Sequence, residues 1–257
     1  MERPAHVLQR TVHDLTAALR EEKKLDEMSF YRIQRQIDTA PHDEWREYAF
    51  ALFAHLTGNK DDALEHFGKS MALVPHEAVA YNYLLCLKCY VPHREHIETS
   101  VLLGLEFKSV RIMNQAYQDS VELLDFKKAE NIIRLCEKFS PDAGDKMRND
   151  ISEMRSDMEK FMSYGNLAVS DVHDIAHDMV DVANANGARI VSGQFMQIKE
   201  HEVNAYTLYV CGVSAETMAD MQFQLADKLA ERDNLSPVNF SAGYMDGGPL
   251  ECSHASK

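Results

Sequence analysis

His173 and His177 lie four residues apart, with Asp174 and Asp178 beside them. On a helix, imidazoles at that spacing project from one face and can share a divalent ion, so the pair is a candidate metal site. No glutamate sits between them as in HExxH, and spacing supplies no third ligand. A solvated acidic helix face accounts for the same letters. A second cluster, Cys86, Cys89, His93 and His96, offers zinc-type ligands. Its span is far shorter than the loop between the ligand pairs of ordinary zinc fingers, and both thiols fall in an apolar run, so packed core cysteines are the better reading. There is no GxSxG elbow and no GxxxxGK[ST] loop, and the carboxylates are scattered over helical stretches. No catalytic residue and no cofactor is expected from these patterns.

The composition narrows the function classes. The chain has 257 residues, 45% apolar and 26% charged, enough to bury a core. It carries 41 acidic against 27 basic side chains, a formal charge of −14. A nucleic-acid surface needs clustered positive charge to displace counterions, so nucleic acid is not expected as a partner. No apolar run reaches the roughly 20 residues of a membrane span, and the first residues lack the apolar core of a signal peptide. Five cysteines, an odd number in mostly apolar settings, suit reduced thiols in a cytoplasmic protein.

Hydrophobic periodicity divides the chain. Residues 1–162 recur at helical spacing throughout, and prolines fall only near segment ends. From about Gly187 two short segments, ARIVSGQFMQI and NAYTLYVCGV, read as an antiparallel hairpin. A helix follows, then a third strand in PVNFSAGYM. The expected domains are 1–162, all helical, and 163–246, a small α+β domain of order α-β-β-α-β. Residues 247–257 read as a flexible tail. Residues 163–257 hold 13 acidic and 5 basic side chains, a net of −8, so the smaller half is the more acidic per residue.

Within the helical half, TGNKDDALEHFGKSMALVP, ending at Pro75, aligns with LLDFKKAENIIRLCEKFSP, ending at Pro141. Ala63 pairs with Ala129 and Phe67 with Ile133, each 66 residues apart, or two units of 33. These residues resemble the tetratricopeptide repeat (TPR) family over roughly residues 10–141. Gly58 stands at the turn, Ala63 at the close helix contact, Phe67 at the large packing position and Pro75 at the unit's end. Trp45 lies slightly off the usual aromatic position, and Ser70 stands where alanine is common. The next unit has Tyr81, Leu84 and Leu85 at fitting places, with Ile97 where a small residue is expected. An N-terminal unit would end at Pro41, with Ser29 at its small position. Three or four repeats follow, with the amphipathic run 145–162 as a capping helix.

The resemblance implies stacked helical hairpins with a concave wall lined by the first helix of each unit. Here that wall would comprise Trp45, Tyr48, Leu52, Val79, Asn82, Cys86, Arg111, Asn114 and Gln118. It is aromatic and polar, and too poor in basic residues for the family's clamp on an acidic peptide terminus. An apolar or basic peptide or helix is the expected guest. Packing against a neighbouring helix would equally explain Trp45 and Tyr48.

In the smaller half, Ser170 suits a helix N-cap and Gly187 its stop. Val172, Ile175, Ala176, Met179 and Ala183 form the buried stripe. The order of elements is similar to a ferredoxin-like domain lacking one strand, with two helices on one face of a three-stranded sheet. Open sheet edges make a homodimer reasonable. The expectation is a non-enzymatic adaptor that binds a protein segment, with the α+β half for dimerisation or a second contact. Chaperone, antitoxin or immunity-type neutralisation would fit the acidity. The alternatives are a small-ligand or metal-responsive sensor using His173 and His177, and an enzyme with an unrecognised site in the smaller half.

Overall fold

The computed structural model describes residues 4–20, 25–41, 43–198, 202–235 and 238–247. The expected tail beyond Gly247, with Cys252, lies outside the described residues. The chain divides into two compact units, Met1–Thr99 and Ser100–Lys257, and the boundary falls inside one helix. Among the described residues no helix is long and apolar enough to cross a membrane.

The first unit holds α1 (Pro4–Arg20), α2 (Glu27–Asp38), α3 (Glu44–Leu56), α4 (Lys60–Leu73), α5 (Glu77–Lys88) and the start of α6 (His93–Phe107). The second continues with α7 (Val110–Glu122), α8 (Phe126–Glu137), α9 (Pro141–Gly165) and α10 (Val169–Ala185). It ends with β1 (Arg189–Ile198), β2 (Val203–Cys211), α11 (Ala215–Ala230) and β3 (Ser241–Asp246). The chain is therefore mostly α-helical, with an α+β C-terminal part.

The helices recur with a strict period. Helices α2, α4, α6 and α8 start at residues 27, 60, 93 and 126, in steps of 33, and α3, α5 and α7 start at 44, 77 and 110. The caps repeat with them. Asp26, Asn59 and Asp125 each accept the backbone N–H three residues on, relieving donors that the first helical turn leaves unpaired. Asp43 and Ser109 cap α3 and α7 in the same way, and at α5 the His76 ring accepts the N–H of Ala78, two residues on. The cap position before α6 offers no side-chain acceptor, because Pro92 stands there. The turns match as well. Gly58 and Leu124, 66 residues apart, both take positive φ, at 76° and 54°. The next amides, of Asn59 and Asp125, bond Ala54 O and Ser120 O, each at 2.8 Å. These are sequential helical hairpins of one repeating design.

Aligned positions carry equivalent burial. Ala63 and Ala129 are fully buried, as are Phe67 and Ile133. Ser70, where alanine would serve, is also fully buried, and its hydroxyl donates to Glu44 O at 2.9 Å, so α4 is tied to the start of α3. One period after Ala63 stands His96, one residue before Ile97. His96 is fully buried, and its Nε2 bonds Leu84 O at 3.0 Å. A large side chain thus fills the small-residue position of that hairpin.

In the second unit the sheet order is β1-β2-β3. The hairpin β1–β2 is antiparallel, with a bulge between Ile190 and Ser192. Strand β3 pairs with β2 in parallel, which α11 makes possible by carrying the chain back along the sheet. Helix α9 does more than cap the hairpins. Its first turns pack on α8, and its last turns lie on the sheet, where Phe161 meets Phe195 at 5.1 Å between ring centroids and Phe195 stacks on Tyr206 at 4.5 Å. The sheet therefore meets α9 as well as α10 and α11, and α7 also approaches β1, more than the two helices expected. The change of periodicity near residue 163 lies within this unit.

Two local details position these helices. Gly165 ends α9 where a Cβ would come within 2.7 Å of Asn204 Nδ2 and 2.9 Å of Asn239 O. That Asn204 amide donates to Phe161 O at 3.1 Å and to Asn239 O at 2.9 Å, tying the helix end to the approach to β3. Helix α10 starts one residue before Ser170, at Val169. Its cap position is Ala168, whose N–H bonds Asp171 Oδ2 at 2.7 Å, so Ser170 lies inside the first turn. Gly187 stops the helix with φ of 69°.

Candidate functional site

The cap at Asp43 and the hairpin α3–α4 place Trp45 and Tyr48 one turn apart along α3. Trp45 is half-buried, and its ring lies 6.2 Å from Tyr48 and 6.1 Å from His76. Tyr48 is buried, packs on Phe67 at 6.1 Å, and its hydroxyl accepts a hydrogen bond from the Asn82 amide of α5. Trp45, Tyr48, His76 and Asn82 therefore converge where α3 meets α5. Leu52, Val79 and Cys86 lie in the apolar core of this unit, each at most 4% exposed, so their side chains are taken up by packing between helices. In the second unit, Arg111 and Gln118 are exposed on α7 and Asn114 is half-buried.

Cys86 lies in the same apolar core, where burial pushes its thiol up to about 12, so it is protonated near neutral pH. Cys89 is exposed, its S–H directed at Leu85 O at 3.5 Å, and His96 is committed to Leu84 O.

On α10, His173 is half-buried and His177 exposed. Their neighbouring carboxylates are engaged elsewhere. Arg232, just past α11, bonds Asp178 through Nε at 2.6 Å and Asp174 through a terminal nitrogen at 2.9 Å, while Lys228 stands 3.7 Å from Asp178. The hydrogen bond to Asp178 raises the Arg232 pKa above its ordinary value. Among the described residues, no third His, Cys, Asp or Glu ligand atom joins the two imidazoles within 4.8 Å.

Sequence reading did not single out a further polar cluster on α3 and α4. Glu47, 4% exposed, bonds His66 Nδ1 at 2.6 Å. The His66 ring stacks on Phe50 at 5.0 Å, and the Arg46 guanidinium lies over the Phe50 ring, 5.4 Å from its centroid. A glutamate inside the apolar stretch EYAFALFA is the signal that points to it, because a buried carboxylate needs a partner.

Trp45 stays partly accessible there, with His76 exposed and Asn82 half-buried. Compared with known proteins, the chain matches no family model, no curated protein and no solved structure.

Proposed function

We propose that the chain is a non-enzymatic adaptor of tetratricopeptide type, which holds an apolar or basic segment of a partner protein on its hairpin array. The observation that carries this reading is the convergence of Trp45, Tyr48, His76 and Asn82 at the α3–α5 junction. A half-buried indole beside an amide is the kind of anchor that peptide recognition uses: a large apolar surface next to a hydrogen-bonding group. The net charge of −14 favours a basic guest. Neutralisation of such a partner, in the manner of a chaperone, antitoxin or immunity protein, is the biological form that suits this chemistry.

Selection from a displayed library of random peptides tests the reading. The enriched peptides should be apolar and basic, and Trp45→Ala and Asn82→Ala should each weaken their binding about tenfold, the loss typical of an anchor contact. His177→Ala should leave binding unchanged. No enrichment, or enrichment indifferent to Trp45 and Asn82, overturns it.

A further inference from the structure

Three of the four most exposed large apolar side chains among the described residues stand on two helices, α2 and α11: Met28 at 85%, Phe223 at 72% and Tyr31 at 63%. Large apolar side chains left in water inside a rim of charge mark interaction surfaces. On α2, Ile33 and Ile37 are buried, and the opposite face presents Met28, Tyr31, Arg32 and Arg35, all exposed, at the i, i+3, i+4 and i+7 positions. The acids of that helix, Glu27 and Asp38, lie to its side, where Gln34 holds Asp38. On α11, Met221 and Leu225 are buried, and Phe223 stands opposite them. Along one flank of Phe223 run Ala219 and Ala226, and along the other Glu216, Asp220 and Asp227, again all exposed. The nearby cations turn the other way, since Lys228 and Arg232 reach back to the carboxylates of α10. Among the described residues, Arg32, Arg35, Glu216, Asp220 and Asp227 enter no ion pair. The two faces are thus alike in their apolar centres and opposite in charge.

We propose that these faces meet between copies of the chain: α2 of one copy docks on α11 of a second, with Tyr31 on Phe223 and the two arginines against the acidic flank. Charge complementarity selects a second copy as the occupant, because each face supplies what the other lacks and both belong to this chain. The spacing agrees. With Tyr31 level with Phe223, Arg35 falls level with Asp227 if the helices run parallel, and within one residue of Asp220 if they run antiparallel. The chain already makes the corresponding contact within itself, for Arg46 lies 5.4 Å from the Phe50 centroid and Arg155 lies 5.5 Å from that of Phe126. A guanidinium set over Phe223 repeats it. Because the two faces differ, the contact is heterologous, and each copy in a pair keeps one face free, so association continues past two copies until a ring closes. Two helical turns on each side, about 10 Å of axis, bury well below the standard interface of about 1,600 Å². The association is accordingly reversible. This inference does not rest on the peptide-binding reading.

Sedimentation of the full chain across about 5–500 µM, the range over which a contact this small exchanges, tests it. Salt of about 0.15 M screens the general repulsion between two acidic copies. The average mass of the wild type should rise with concentration. One variant loses the α2 face by Tyr31→Ala with Arg35→Ala, and another loses the α11 face by Phe223→Ala with Asp227→Ala. Each alone should associate at least about tenfold more weakly, the loss typical of anchor contacts. Mixed in equal amounts, the two should form a one-to-one dimer and nothing larger, because one brings an intact α2 face and the other an intact α11 face. The mixture also guards against misfolding, since a variant without its fold brings no intact face. A wild type that stays monomeric throughout overturns the proposal. So does association that survives in either variant alone, or a mixture that remains monomeric.

Discussion

Arg232 Nε donates to the Asp178 carboxylate across 2.6 Å, joining the end of α11 to the middle of α10, 54 residues earlier in the chain. Asp178 is 6% exposed, so its charge depends on this partner and on Lys228. Arg232→Gln should lower stability by about 1–3 kcal/mol, the cost of leaving a buried carboxylate short of its counter-charge, reduced because Arg232 is partly solvated. Adding Asp178→Asn should recover part of the loss. A urea-melt double-mutant cycle measures the coupling, and additive effects would show that the two side chains do not depend on each other.

Asp125 accepts the Lys128 amide at 3.0 Å, as the cap of α8. Asp125→Ala should cost about 1 kcal/mol, while Asp125→Asn, which keeps the acceptor, should cost less. Hydrogen exchange would place the change: faster amide exchange in the first turn of α8 is expected, with β1 and β2 unaffected.

The four described cysteines differ in access. Cys89 is exposed, whereas Cys86, Cys136 and Cys211 are buried, and burial raises the thiol pKa of Cys86 to about 12 and that of Cys136 above its ordinary value. Alkylation of the native protein near pH 8, followed by peptide mass spectrometry, should modify Cys89 well before those three. Comparable labelling of Cys86 would contradict its placement in the core.

His55, near the end of α3, has its Nδ1 3.3 Å from the Tyr90 hydroxyl, and desolvation holds its pKa below the ordinary 6.5. The folded chain thus disfavours the imidazolium more than the unfolded chain does. Above pH 6.5 both states are neutral at this residue and its contribution is fully present. As pH falls below that value the unfolded state takes up the proton first, and the contribution is lost until the folded pKa is passed. Melting temperature should therefore decline from about pH 6.5 downward, and His55→Asn should flatten that decline relative to the wild type.

The helical hairpins were legible because their information is local. A 33-residue repeat of alanine, large apolar residue and proline is written in Ala63, Phe67 and Pro75 and again in Ala129, Ile133 and Pro141. The caps at Asp26, Asn59 and Asp125 carry the same period in polar residues, which apolar spacing does not register. His96 was obscured for the same reason: a large residue in a small-residue position breaks the pattern that reveals its neighbours.

The candidate binding residues were legible only as a helix face. Periodicity placed Trp45, Tyr48 and Leu52 along one stretch of α3, but which of them meets solvent depends on how α1, α4 and α5 pack around it. The structure leaves Trp45 and Asn82 half-buried and encloses Leu52, Val79 and Cys86.

By itself the sequence determined where helices and strands form and the order in which they come, since caps, periodicity and turn residues act within a few positions. Only the tertiary structure decided that Phe161 of α9 packs onto the sheet, that β3 joins β2 in parallel, and that Arg232 takes the carboxylates beside His173 and His177. Those outcomes pair residues 34 to 58 positions apart. Such pairings are selected by which buried faces and charges can be satisfied together, and no local pattern records that choice.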